Sequence, residues 1–188
     1  MKKTNIRAIC EGAIMVALAQ VLSYITIFPH LPNGGSITLA ALPLAIFALR
    51  FGLGKGLGAC FAFGTLQLIF DGAYAWGWQS MLLDYLVAFT PLGLAGIFRG
   101  KAWGIFPGLF VGQAARFLVH FISGVTIYRI YEPTEIPGIG VFDDATLYSL
   151  VYNGCYMLPN ILLSLAVAGL LFVPLKRFLN GSDLHGSM

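Results

Sequence analysis

The chain has 188 residues, 58% of them apolar and 10% charged, with a net charge of +3 at pH 7. Soluble globular domains carry roughly a quarter of their residues as Asp, Glu, Lys and Arg, so an ordinary soluble domain is excluded. A nucleic-acid surface is not expected either, because the few cations form no basic patch interleaved with aromatics.

At roughly 20 residues per crossing, the length suits about six spans in one transmembrane domain, residues 1–188. The first apolar run, 8–28, follows Lys2, Lys3 and Arg7 and contains Ala17-Leu18-Ala19, features shared with a cleaved signal peptide. Its apolar character continues to Phe28, so it is read as a first span that stays. Pro29-His30-Leu31-Pro32-Asn33-Gly34-Gly35 ends it, a string that forms a loop. The second run, 37–50, is short for a full crossing. The third, 53–70, enters through Gly54, Gly56 and Gly58 after Gly52. The fourth covers 79–98 and the fifth 102–127. The sixth, 147–173, contains Pro159, where a kink is expected.

Lys2, Lys3, Arg7, Arg50, Lys55, Arg99, Lys101, Lys176 and Arg177 fall in segments that six spans place on one side. Asp71, Glu132, Glu135, Asp143 and Asp144 fall on the other, with Arg129. By the positive-inside rule, both termini are cytoplasmic. Phe28, Tyr74, Trp76, Trp78, Tyr128 and Tyr131 sit near the outer ends, as an interfacial aromatic belt does.

Ionisable groups at membrane depth are costly and mark functional sites. Asp84, beside Tyr85 in the fourth run, is such a group; it faces a hydrated cavity, pairs with Arg116, or does both. Arg116, His120, Gly124 and Tyr128 recur every four residues and share one helical face. A glycine there lets a flat ligand approach the backbone. In the sixth run, Asn153 offers donors and an acceptor together, and Tyr148, Tyr152 and Tyr156 form an aromatic wall or plain packing. In the first run, Ala13 and Ala17 make a small-xxx-small pair that permits close helix approach, to a partner or a neighbour in the chain.

Cys10, Cys60 and Cys155 have no metal-ligand or CxxC spacing and read as buried free thiols. Neither a metal nor a cofactor is expected. Hydrolase and phosphate-loop motifs are missing; His120 with Ser123 only faintly suggests an intramembrane hydrolase, so no enzyme activity is expected. Without an ATP-binding segment, uphill transport would draw on a partner or an ion gradient.

Leu31-Pro32-Asn33-Gly34-Gly35-Ser36-Ile37, Leu82-Leu83-Asp84-Tyr85 with Ala88-Phe89, His120-Phe121-Ile122-Ser123-Gly124, and Tyr148-Ser149-Leu150 with Tyr152-Asn153 and Tyr156-Met157-Leu158-Pro159 together resemble the thiamin-specific substrate-binding subunits (S-components) of energy-coupling factor (ECF) transporters. The blocks come in the family's order and cover most of the chain. The resemblance implies an all-α, six-helix subunit of a prokaryotic plasma membrane. It would bind thiamin from outside and dock on a transmembrane coupling protein that carries two ATPases. It also implies ligand contacts by Asp84, Tyr85, Arg116, His120, Gly124, Tyr128, Tyr148 and Asn153, and partner docking by Ala13 and Ala17. Some members carry Glu at the position of Asp84 and Trp at that of Tyr128. A loop tryptophan that covers the ligand in relatives has no counterpart here, and Trp76 or Trp78 would have to replace it. A riboflavin or biotin-like ligand is the alternative within the same class; it would shift the main contacts to Arg116 and His120.

Overall fold

The computed structural model describes residues 3–27, 31, 34–71, 77–128 and 135–184. Lys2, Phe28, Pro29, His30, Pro32, Asn33, Tyr74, Trp76, Arg129, Tyr131 and Glu132, which the sequence reading used, lie outside the described residues. The architecture is helical: α1 Lys3–Tyr24, α2 Ala41–Phe51, α3 Leu53–Phe70, α4 Trp78–Phe98, α5 Ala102–Ile127 and α6 Ala145–Leu179. One short antiparallel hairpin, β1 Glu135–Ile136 with β2 Gly140–Val141, lies between α5 and α6.

Among the described residues, five helices (α1, α3, α4, α5 and α6) are long and apolar enough to cross a membrane. The exception is α2, with 11 residues, a length of about 16 Å against a hydrocarbon core of about 30 Å. All its residues are buried, and it touches each of the other five helices. Apolar on every side, it is the core of the bundle rather than a lipid-facing span. Residues 34–40, of which the sequence reading assigned 37–40 to this run, are a loop leading into α2.

Small residues set the spacing between α3 and α4. A Cβ on Gly56 would lie 3.0 Å from the Gly93 carbonyl, and one on Gly96 would lie 2.5 Å from the Gly52 carbonyl carbon. The two backbones are therefore in direct contact, the arrangement that glycines permit between membrane helices. Gly52 also reverses the chain between α2 and α3 with φ 90°, a conformation that side-chain-bearing residues avoid.

Arg50 departs from its expected place among the solvated loop cations. Its side chain has no exposure. It donates to Glu11 at 2.9 Å, to Asp183 at 3.0 Å and to the Phe178 carbonyl, and it lies over the Phe178 ring. Arg7 pairs with both Glu11 and Asp183. This knot ties α1, α2 and the end of α6, and it exists because a buried guanidinium requires paired, hydrogen-bonded anions. Glu11 and Asp183 carried no weight in the sequence reading. Of the cysteines, only Cys60 is fully buried; Cys10 is exposed on α1 and Cys155 is intermediate.

Helix α6 continues through Pro159 and Pro174 and runs past the expected end at 173. Asp144 caps its start by accepting from Thr146 N at 2.6 Å and Leu147 N, satisfying amides that the first turn leaves without partners.

Candidate functional site

Helix α4 changes pitch along its length. It starts as an α-helix at Trp78–Met81, widens to a π-helix over Leu82–Val87, and tightens to a 3₁₀-helix over Thr90–Phe98. Asp84 and Tyr85 lie on the π segment. Helix α5 likewise ends in a π turn, Gly124–Tyr128. Such turns are rare and concentrate at functional sites. Between them lies a cavity of about 470 Å³, within the range of about 300–1,000 Å³ common for small-molecule sites.

The cavity gathers Asp84, Tyr85, Arg116, His120, Gly124, Tyr148 and Asn153 from three helices. Tyr128 is the last residue of the α5 π turn, and its side chain lies outside the described residues. Trp78 is 66% exposed and does not line the cavity.

Asp84 is the hub of the polar contacts. Its Oδ2 accepts from Ser80 Oγ at 2.7 Å and from Ser123 Oγ at 3.0 Å, while Oδ1 lies 3.0 Å from His120 Nδ1. Arg116 Nε donates to His120 Nε2 at 3.3 Å. A ring nitrogen that accepts from a guanidinium carries no proton, so the imidazole is neutral with its hydrogen on Nδ1, directed at Asp84. Of the alternatives open for Asp84, it lines the cavity, and it is linked to Arg116 through His120. Arg116 itself lies over the Phe89 ring, 4.1 Å from its centre, a favourable cation–π position. Ser123 gives its proton to Asp84 rather than to His120, so the nucleophile–base pair that a serine hydrolase needs is not formed between them.

Two further lining residues have contacts within the protein as well. A Cβ on Gly124 would collide with Ser149 Oγ, so this glycine is needed first for the α5–α6 contact. Asn153 donates from Nδ2 to the Ser149 carbonyl at 2.9 Å and to Ser149 Oγ at 3.2 Å, and its Oδ1 accepts from Tyr156 Oη at 2.9 Å. Its donors are spent, which leaves a lone pair of Oδ1 for a ligand.

The aromatic wall is continuous. Tyr148 stacks on Tyr152 at 5.5 Å, Tyr152 meets Tyr156 edge-on at 6.2 Å, and Tyr156 meets His120 edge-on at 6.4 Å. The sequence reading left Tyr152 and Tyr156 open between wall and packing; their repeat with Tyr148 every four residues was the available signal. Ser80 was missed although it lies four residues before Asp84 on the same helix, a spacing that was the available signal; the contacts of Ser123 with Asp84 and of Arg116 with Phe89 join different helices and have no sequence spacing.

The loop before α2 covers this wall. Tyr152 Oη donates to the Gly34 carbonyl at 2.6 Å, and Asn160 holds Ser36 O and Thr38 N at 2.7 and 2.9 Å. Gly35, at φ 91°, presses on the Tyr156 ring, where a Cβ would come within 2.8 Å. Ile136 of the hairpin packs on the same tyrosines and is 1% exposed.

A second, apolar groove of about 600 Å³ lies between α1 and α3, near Gly12, Ala13, Phe47 and Ala59. Both Ala13 and Ala17 are exposed on α1.

Comparisons with known proteins agree with one another. Residues 9–180 match the thiamine transporter protein family (Thia_YuaJ). The thiamine transporter ThiT of Bacillus subtilis is 30% identical over 183 residues, covering 90% of this chain and 92% of the relative. ThiT of Lacticaseibacillus paracasei is 35% identical over 196 residues, covering 93% and 91%. The solved structure of ThiT from Listeria monocytogenes shares the fold, with a TM-score of 0.78 at 24% identity over 93% of this chain and 98% of that one. By sequence over nearly its whole length, this chain belongs to the thiamine transporter protein family.

Proposed function

We propose that this chain is the thiamin-binding S-component of an ECF-type uptake transporter, a binding subunit without catalytic activity. Family membership supports the ligand class, and the chemistry of the cavity is what a cationic heteroaromatic ring requires. Asp71 and Asp84 line it together with the guanidinium of Arg116, so carboxylate groups outnumber guanidinium groups among the lining residues. A thiazolium ring gains from that excess and from the tyrosine faces, each cation–π contact contributing roughly 0.5–2 kcal/mol. The Asn153 Oδ1 lone pair and the Asp84 carboxylate accept from the aminopyrimidine. Asp84, Tyr85, Arg116, His120, Gly124, Tyr128, Tyr148 and Asn153 are the proposed ligand-contacting set.

The chain forms a single domain with six membrane segments and both termini in the cytoplasm, the short α2 completing its crossing through the loop at residues 34–40. The exposed Ala13 and Ala17 beside the apolar groove suit close packing by a helix of the transmembrane coupling protein, which brings the two ATPases.

The carrying observation is a half-buried carboxylate held by three donors in an aromatic cavity of a thiamine transporter family member. Calorimetric titration of the detergent-purified protein with thiamin, riboflavin and biotin tests it. Saturable binding of thiamin alone is expected, with Asp84→Asn weakening it at least about tenfold through loss of a charge-assisted contact. Binding of riboflavin or biotin in place of thiamin would overturn the specificity.

A further inference from the structure

Helices α5 and α6 meet at the end of the bundle where α5 begins and α6 ends. Phe106 and Phe172 pack there with ring centres 5.5 Å apart, and Ala102 N donates to Asn180 Oδ1 at 2.5 Å. That bond satisfies an amide in the first turn of α5 and brings Lys101 beside the last turn of α6. Lys176 and Arg177 lie four and three residues before Asn180, on the side of the helix that it occupies. Lys101, Lys176 and Arg177 therefore gather at one corner. All three are exposed, and among the described residues none has a carboxylate partner. The carboxylates described at this end, Glu11 and Asp183, are bound by Arg7 and Arg50. Arg99 leans away, its stem 3.2 Å from where a Cβ on Gly52 would lie.

Towards the bilayer centre from these cations the surface is apolar. Leu170, Val173 and Arg177 follow at i, i+3 and i+7 and form one stripe; Leu170 and Val173 are 79% and 80% exposed. Trp103 is also exposed, with Lys101 Nζ 5.7 Å from its ring centre, and tryptophan is a residue that settles at headgroup level. Cations above an apolar stripe match a phospholipid, with its phosphate at the corner and its acyl chains along α6. Each Lys or Arg near the surface adds attraction for an anionic lipid, and basic pockets between helix ends hold such headgroups. We propose that Lys101, Lys176 and Arg177, with Trp103 and the Leu170–Val173 stripe, form a binding site for an anionic phospholipid of the leaflet at this end, the inner one in the arrangement proposed above. Cations that only set topology require no particular lipid, whereas a site retains an anionic lipid over a zwitterionic one. None of these residues lines the central cavity or the α1–α3 groove, so the proposal does not depend on which vitamin is bound.

The test is native mass spectrometry of the full-length protein in detergent, titrated with phosphatidylglycerol and with phosphatidylcholine of the same acyl chains. The first phosphatidylglycerol is expected to bind at least about tenfold more tightly than phosphatidylcholine. Two matched double variants locate the effect. Lys176→Gln with Arg177→Gln should reduce the preference to about twofold, while Lys55→Gln with Arg99→Gln, which removes as much charge from the same end, should keep at least about fivefold. Equal loss in both double variants would overturn the proposal, since the preference would then follow total charge and not the corner. A preference below about twofold in the unmodified protein would do the same, and decides the question without any variant. Glycerophosphoglycerol, the headgroup without chains, should fail to displace the lipid at equal concentration; displacement would show an anion site in place of a lipid site. Absence of thiamin binding would overturn the functional reading and leave this result unaffected.

Discussion

Asp84, His120 and Arg116 show how a few hydrogen bonds assign roles to ionisable side chains. His120 accepts from Arg116 and is turned towards Asp84, so replacing Arg116 alters the tautomer and position of the imidazole as well as removing a charge. Arg116→Met is expected to weaken thiamin binding although the guanidinium has the same sign as the ligand; tighter binding in that titration would show that its charge repels and its positioning is irrelevant. Ser123 is wholly buried and one of three donors on Asp84. Loss of its hydrogen bond in Ser123→Ala should cost about tenfold or less in affinity, with no reaction product from thiamin detectable by mass spectrometry. Gly124 makes a different kind of contribution, through the space it leaves for Ser149. Gly124→Ala should lower stability by about 1–3 kcal/mol, and a second change, Ser149→Gly, should return part of that loss in thermal unfolding even though glycine disfavours a helix.

Among the elements, α4 is the most specialised. Its π segment carries Asp84 and Tyr85, and its 3₁₀ segment carries Gly93 and Gly96 against the backbone of α3. A methyl at Gly93 would meet Leu57 N and Gly56 C, backbone atoms that cannot swing aside. Gly93→Ala should therefore separate the two helices and destabilise the fold, whereas alanine at Gly58, with open space around its Cβ, should be tolerated. The Arg50 knot is the other inter-element device. Its partners Glu11 and Asp183 keep 18% and 36% exposure and stay paired with Arg7, so removing Arg50 should cost about 1–3 kcal/mol, less than breaking a fully buried pair. Arg50→Met is expected to show a loss of that order in thermal unfolding, and Arg50→Lys to recover little of it, since an ammonium cannot bridge Glu11, Asp183 and a carbonyl in one plane.

For the whole molecule, the charge pattern still bears on orientation, with altered membership. Arg7 and Arg50 are engaged with Glu11 and Asp183, so among the described side chains the exposed cations available to set topology are Lys55, Arg99, Lys101, Lys176 and Arg177. The proposed arrangement predicts that reporters fused to either terminus, active only in the cytoplasm, are both active; opposite results at the two ends would require an odd number of crossings. Composition and the positions of the apolar runs were enough to read a helical membrane protein, because a lipid environment forces every backbone polar group to bond within its own segment and leaves a long hydrophobic signature. Asp84, Arg116, His120 and Asn153, which line one cavity, were legible as candidate site residues for the same reason, since polar atoms inside such runs are expensive. The burial of α2, the relay through His120 and the knot around Arg50 were not. Each depends on which helices are neighbours and at what distance, and contacts between residues as far apart as Glu11, Arg50 and Asp183 leave no periodicity along the chain. The sequence by itself determined the solvent this protein folds in and the residues too costly to be there by chance; the tertiary structure decided which of those residues meet, because only packing sets the partners that make a buried charge or amide tolerable.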